Sequence, residues 1–186
     1  MSTVRASITI ENIVASVTLK QTIDLNSVVQ AFPQVEYRPA RFPGLVFRLR
    51  KPKTATLIFS TGKMVCTGAR SEKQAKQAVR KVVRELKNNG IVIMKRPIIK
   101  VVNIVASVNL GGRIDLERTT YMLDRTMYEP EQFPGLIYRM TEPKVVYLLF
   151  TSGKCVCTGA RSEADVYASV IKVCDQLEHD SLIVYE

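Results

Sequence analysis

Residues able to do covalent, metal or phosphate chemistry are few in this 186-residue chain, and their patterns fit no common active site. The cysteines are Cys66, Cys155, Cys157 and Cys174, the single histidine is His179, and tryptophan is absent. One histidine leaves no His-rich metal site and no nucleophile that leans on a second histidine. Cys155 and Cys157 stand two apart, so on a strand they share a face; no histidine is nearby, and a metal there is not expected. Gly62-Lys63 and Gly153-Lys154 resemble the end of a phosphate-binding loop. No glycine stands five residues before Gly62, however, and Met64 or Cys155 occupies the place that must carry a hydroxyl. His179 is expected at a helix C-terminus, where a cation suits the macrodipole. The chain is expected to be no enzyme, with no catalytic residue, metal, cofactor or small-molecule substrate.

Binding chemistry is better supplied. There are 27 Lys+Arg against 17 Asp+Glu, a formal net charge of +10, which points toward a polyanion such as nucleic acid. Hydrophobic residues make up 46% and charged residues 24%, a globular composition with enough chain for one ordinary domain or two small ones. No apolar run approaches the roughly 18 residues of a membrane helix, and Met1-Ser2-Thr3-Val4-Arg5 has no apolar signal core. An intracellular protein with reduced cysteines is expected, away from any membrane.

The elements that must position these groups occur twice. Asn12-Ile-Val-Ala-Ser-Val17 recurs as Asn103 to Val108, Phe42-Pro-Gly-Leu45 as Phe133 to Leu136, and Val65 to Glu72 as Val156 to Glu163. The offset is always 91, and 37 of the 91 aligned pairs are identical without a gap. Two similar halves, residues 1–95 and 96–186, follow, related by a pseudo-twofold axis. With Ile91 to Met94 running straight into Ile98 to Val102, the halves are expected to share one sheet.

Within each half one helix is plain. Ser71 as N-cap with Gln74 makes a capping box, and Ala75, Ala78, Val79, Val82, Val83 and Leu86 fall on one stripe of a helix to Asn88. Its counterpart runs from Ser162 to about Asp180, and shorter helices are expected after Asp24 and Asp115. Strands are expected at Ala6 to Lys20, Val35 to Pro39, Leu45 to Arg50, Thr54 to Ser60 and Lys63 to Ala69. Doubled, this is an α+β fold with one large antiparallel sheet of about ten strands and four helices.

Strand alternation makes both sheet faces apolar, although helices are available for only one. The other face would carry Val14, Leu57, Phe59 and Val65 with Val105, Leu148, Phe150 and Val156, a patch of the size that marks an interaction surface. A sheet-on-sheet homodimer is one use for it. A nucleic-acid surface is another, because cations recur beside it: Arg48 and Arg139, Lys53 and Lys144, Lys63 and Lys154, Arg70 and Arg161. Asn12, Asn103, Thr67 and Thr158 add uncharged donors. An A·T minor groove offers only acceptors, and a smooth apolar surface clashes with the guanine amino group, so this face matches A·T-rich DNA. Phe42 and Phe59 should meet at one end of a hairpin, and Phe133 and Phe150 repeat the pair; such pairs suit wedges that unstack base steps.

These motifs, together with Ser60 to Arg70 and Tyr128-Glu-Pro-Glu-Gln-Phe-Pro-Gly-Leu-Ile-Tyr-Arg-Met140, resemble the TATA-box-binding protein family along essentially the whole chain. That family is itself the known example of minor-groove wedging, and its fold is a saddle with helices on the convex face. The resemblance implies a general transcription initiation factor that bends promoter DNA. It implies intercalation by Phe42, Phe59, Phe133 and Phe150, base-edge bonds from Asn12, Asn103, Thr67 and Thr158, and groove-floor packing by Val14, Val65, Val105 and Val156, with Leu57 and Leu148 beside them. It implies a transcription factor B contact at Glu129, Pro130 and Glu131, with Gln132 where eukaryotic members commonly have leucine, and recruitment of RNA polymerase. The short N-terminus looks like an archaeal member, placed in the cytoplasm or nucleoid, or like a bare conserved core of a nuclear protein.

A nonspecific DNA-bending or RNA-binding module is the competing class; four phenylalanines in two distant pairs fit neither a shallow RNA groove nor a single-strand stacking platform well. Residues 1–95 carry 17 Lys+Arg and 5 Asp+Glu, and residues 96–186 carry 10 and 12. The paired cations divide equally, so part of the first half's excess lies elsewhere, on the helix segment holding Lys73, Gln77, Arg80, Lys81, Arg84 and Lys87. That helix and the acidic second half are expected to be partner surfaces or plain solvated faces.

Overall fold

The computed structural model describes residues 6–186; the reading of the N-terminus over residues 1–5 lies outside the described residues. The chain order is β1 (Ser7–Thr18), α1 (Leu25–Ala31), β2 (Leu45–Arg50), β3 (Lys53–Ile58), β4 (Lys63–Ala69), α2 (Glu72–Asn88) and β5 (Ile98–Asn109). There follow β6 (Gly112–Ile114), α3 (Leu116–Met122), β7 (Thr126–Met127), β8 (Leu136–Met140), β9 (Val145–Leu149), β10 (Lys154–Ala160), α4 (Glu163–His179) and β11 (Ile183–Tyr185). Nine strands form an antiparallel sheet in the order β2-β3-β4-β1-β5-β10-β9-β8-β7, and β6 pairs with β11 apart from it. The class is α+β, as the strand and helix patterns require.

Contacts divide the chain into two compact units. One is Asn12–Val102; the other joins residues 6–11 to Asn103–Glu186. Strands β1 and β5 are therefore each cut at the same repeat position, between Glu11 and Asn12 and between Val102 and Asn103. In the first unit, Ile13, Ala15 and Val17 of β1 are buried and alternate with half-buried Asn12, Val14 and Ser16. Helix α2 packs against β4, β2 and β3, and its Ala75, Ala78, Val79, Val82, Val83 and Leu86 are all buried. Each buried Val or Leu there is worth about 1.5–3 kcal/mol over exposure, so packing fixes which sheet face is covered.

Three local expectations change. Residues Val35 to Pro39 form no strand, only a single bridge between Glu36 and Val46, because neighbouring Pro33 and Pro39 interrupt any ladder. Residues Ile91 to Met94 are likewise not a strand and do not run on as sheet into β5. The repeat mate of Gly112, which sits in β6 against β11, is Gln21; a Cβ at Gly112 would lie 2.8 Å from the Val184 carbonyl oxygen. With a full side chain at position 21 the two backbones cannot approach in that way. Gln21 instead bridges them itself: Nε2 donates to the Val92 carbonyl at 2.8 Å, and Oε1 accepts from the Met94 and Lys95 amides at 2.8 and 3.1 Å. Finally, Ser71 Oγ accepts from the Gln74 amide at 3.0 Å, as an N-cap should, but Gln74 Oε1 reaches one residue further back to the Arg70 amide at 2.7 Å. The cap thereby ties the end of β4 to the start of α2.

Candidate nucleic-acid interface

Cross-strand register assembles the uncovered row in each unit. Val46 pairs with Leu57, Leu57 with Val65, and Val65 with Ser16. In the second unit Ile137 pairs with Leu148, Leu148 with Val156, and Val156 with Ser107. Val14, Leu57, Phe59 and Val65, like Val105, Leu148, Phe150 and Val156, are half-buried and not fully open, because each row shields its own members. No helix covers them within their unit, so the row is a surface of apolar area held rigid by the ladder beneath.

The asparagines show how a small polar group is aimed on such a row. Asn12 Oδ1 accepts the Gly68 amide at 2.7 Å, and Asn103 Oδ1 accepts the Gly159 amide at 2.7 Å. A backbone N–H can bond only the carbonyl end of the side-chain amide, so the orientation is settled and the NH2 group is the donor end; in Asn12 one of its two N–H groups donates to Thr67 Oγ1. Thr67 Oγ1 lies 3.2 Å from Asn12 Nδ2, and Thr158 Oγ1 lies 3.5 Å from Asn103 Oδ1. Gly68 and Gly159 sit at β-bulges with φ of 102° and 97°, a region L side chains avoid. The Thr-Gly-Ala-Arg motif thus contains its own reason for glycine, which motif reading alone left without a role.

The two aromatic pairs do meet. Phe42 and Phe59 lie 5.8 Å apart between ring centroids at 72°, and Phe133 and Phe150 lie 5.9 Å apart at 70°, both edge-to-face. Phe42 and Phe133 keep 43% and 41% of their surface exposed, high for phenylalanine. A Cβ on Gly44 would stand 2.6 Å from the Phe42 ring and 3.0 Å from Phe59, and Gly135 repeats this at 2.7 and 3.0 Å. These glycines let both rings fold over the start of β2 and β8.

The cations flank the rows. Arg48 pairs with Ala55 on the uncovered parity and makes an exposed ion pair with Glu36 at 3.4 Å; Arg139 has none among the described residues, since the mate of Glu36 is Met127. Lys53 and Lys144 follow turns that α2 and α4 hold: Lys81 Nζ donates to the Lys51 carbonyl at 2.8 Å, and Lys172 Nζ donates to the Glu142 carbonyl at 2.6 Å. Lys81 is therefore a tether and not simply part of a free basic face. Lys63 and Lys154 open β4 and β10, while Arg70 and Arg161 follow their ends just before the helix caps.

The turns ahead of Phe42 and Phe133 share geometry and invert charge. The Phe42 amide donates to Arg38 and the Phe133 amide to Glu129, each at 3.0 Å to the carbonyl oxygen. The first turn carries exposed Arg38 and Arg41, whereas the second carries exposed Glu129, Glu131 and Gln132. Arg38 and Arg41 were not singled out from the sequence, although a comparison of the two Phe-Pro-Gly segments contains the signal.

The remaining reactive types point into the core. Cys155 and Cys157 share the face toward α4, with Cys157 Sγ 3.7 Å from Ser169 Oγ. Burial, with Cys174 and Cys157 close by, pushes the Cys155 thiol up to about 12, and burial beside Glu178 and Asp175 takes Cys174 to about 11. These thiols are protonated and poorly nucleophilic. Tyr147 is fully buried, its OH 2.7 Å from Ser169 Oγ, and burial raises its phenol far above the usual range. His179 ends α4 with Nδ1 3.0 Å from Asp180 Oδ1, an interaction that holds the half-buried Asp180 carboxyl below its ordinary value.

Two copies of one sheet-and-helix unit, each with an apolar row, an outward amide, an aromatic pair and flanking cations, define a double-repeat α+β binding protein. Comparison with known proteins makes the class specific. The family model described as Transcription factor TFIID (or TATA-binding protein, TBP) matches residues 7–89 and 98–179. A TATA-box-binding protein from Pyrobaculum calidifontis is 51% identical over 186 residues, all of this chain and 94% of that protein. One from Pyrodictium occultum is 55% identical over 169 residues, covering 91% of this chain and 85% of that protein. The solved structure of Methanococcus jannaschii TBP superposes with a TM-score of 0.84 at 46% identity, covering 93% of this chain and 99% of that one. The chain belongs to the TATA-binding protein family. Among the described residues, no helix is long and apolar enough to cross a membrane.

Proposed function

We propose that the protein is a general transcription initiation factor that binds and sharply bends A·T-rich promoter DNA through the minor groove, then recruits transcription factor B and RNA polymerase. The observation that carries this reading is the pairing of edge-to-face phenylalanines, one of each pair exposed, with amide donors whose carbonyl ends are already bonded to bulge glycines. Donors suit adenine N3 and thymine O2, the rows of valine and leucine leave no room for the guanine amino group, and the phenylalanines wedge into base steps. Residues 1–95 and 96–186 act as two repeats, each taking half of the duplex. The archaeal relatives fit a protein that works at the chromosome, in the cytoplasm or nucleoid.

A gel-shift titration tests this directly. An A·T-rich octamer is expected to bind about a thousandfold or more tighter than a G·C duplex at matched salt, and equal affinities would sink the reading. If all eight paired cations each neutralise a phosphate, log K should fall against log salt with a slope of about −7.

The acidic turn beside Phe133 is where transcription factor B would dock, through a basic surface of its own. Converting Glu129 to Arg and Glu131 to Lys gives it the sign of the first repeat's turn. The doubly substituted protein should bind DNA as before and lose about tenfold in affinity for transcription factor B on that DNA, as two reversed rim charges allow. An unchanged ternary supershift would remove these residues from the docking surface.

A further inference from the structure

We propose that Glu11, acting through Ser107, makes the two repeats read their base pairs differently and so gives the protein a direction on DNA; this rests on the minor-groove reading above. Ser16 and Ser107 are repeat mates, paired across strands with Val65 and Val156. Each lines a shallow groove with a wedge phenylalanine and the lysine that opens β4 or β10: Ser16 with Phe59 and Lys63, Ser107 with Phe150 and Lys154. Their hydrogen bonding differs. Ser107 Oγ donates to Glu11 Oε1 at 2.7 Å, whereas the Ser16 hydroxyl makes no hydrogen bond among the described residues. Valine, Val102, holds the repeat position of Glu11.

A carboxylate only accepts, so the Ser107 proton is committed to it and the hydroxyl presents lone pairs to the groove. Lone pairs face unfavourably toward adenine N3 and thymine O2 and favourably toward the guanine 2-amino group. Turning that proton to the DNA instead would give up a short charge-assisted hydrogen bond and leave the exposed Glu11 carboxylate to water near the phosphate backbone, the less favourable arrangement. Ser16 keeps a rotatable hydroxyl that donates to an A·T edge or accepts from a guanine amino group, so it accommodates either base pair. The second unit therefore favours G·C over A·T beneath Ser107, while the first unit does not discriminate in this way beneath Ser16. On an otherwise self-complementary site, one G·C pair fixes the orientation.

The test uses the full chain carrying a fluorophore at Glu117→Cys, an exposed position on α3, since the four native cysteines are buried. The probe is a self-complementary T-A-T-A-T-A-T-A duplex with a single G·C replacement stepped through one half, and an acceptor dye on that end. At one or more of the stepped positions, energy transfer should show the G·C end beside the second unit with a preference of about tenfold, the scale of one hydrogen-bond difference. Glu11→Val frees the Ser107 proton and Ser107→Ala removes its lone pairs, and each should bring the two orientations to equality. An oriented complex that persists in Glu11→Val overturns the inference. So does tight binding of the unsubstituted A·T duplex with no orientation by G·C at any position, an outcome that leaves the DNA reading standing. Absence of any A·T preference would overturn both.

Discussion

Replacing Phe133 and Phe150 together by alanine should lower DNA bending in a circularisation assay and weaken binding to an A·T-rich duplex by at least about thirtyfold. Stacking of a base on an aromatic side chain is worth about 1–3 kcal/mol, so two lost rings remove about 2–6 kcal/mol from the complex. The bend itself depends on them, because a kinked step stays open only while something fills it. The fold has less need of this pair: Phe133 keeps 41% of its surface exposed, and the ring pair lies over Gly135, outside the buried row that meets α4. Its unfolding midpoint should therefore fall by a few degrees at most, which separates a lost wedge from a lost fold. The same substitution at Phe42 and Phe59 should act at the other end of the site. If circularisation is unchanged in both variants, the phenylalanines are ordinary surface aromatics and bending has another source.

Much of the site was legible because its positions come in pairs. A repeat of 91 residues compares each position with its mate, and what survives in both copies stands out without any alignment: the phenylalanines, the asparagines, Thr67 with Thr158 and the four pairs of cations. Strand parity then placed Val14, Leu57 and Val65 on one face and Ile13, Ile58 and Cys66 on the other, and burial follows that division. Period-two alternation is robust here because a one-residue slip would bury Asn12 and expose Ile13.

What stayed illegible depends on where backbones come close. Nothing in the local sequence says that Gln21 replaces a β-ladder with its own side chain, because the partner residues lie more than 70 positions away. The two-residue strand β7 and the single bridge at Glu36 differ for a local reason instead, since Pro33 in the first half has Asp124 as its mate. Charge was half legible. Counting residues showed an excess in the first half, but only the geometry shows Lys81 spent on the Lys51 carbonyl and Arg48 beside Glu36, while Arg38 and Arg41 at the turn of Phe42 make no such pair among the described residues.

Gly153→Ala should destabilise the protein by about 3 kcal/mol or more, lowering the unfolding midpoint by about 6–12 °C, a large effect for adding one methyl group. The Gly153-Lys154 pair resembles the tail of a nucleotide loop, yet its glycine answers to the backbone instead. Gly153 has φ of 87°, and a Cβ there would lie 2.0 Å from the Gly112 carbonyl oxygen, as one at Gly62 would lie 1.9 Å from that of Gln21. Neither neighbour can rotate away, because both are main chain. The segment is also stitched in place: the Leu110 amide donates to the Gly153 carbonyl at 2.9 Å and the Phe150 amide to that of Lys154 at 3.0 Å. Moving Gly153 therefore moves a proposed wedge and a proposed phosphate ligand together, so DNA bending should fall with stability. Two controls isolate the cause. Lys154→Ala should leave the midpoint nearly unchanged while weakening DNA binding, since an exposed lysine contributes little to folding. Gly90 has a similar φ of 88°, but a Cβ there would meet nothing within 4 Å, so Gly90→Ala should cost only about 1–2 kcal/mol, the conformational part alone. Equal melting of the Gly153 and Gly90 variants would show that the close approach to Gly112 carries no weight.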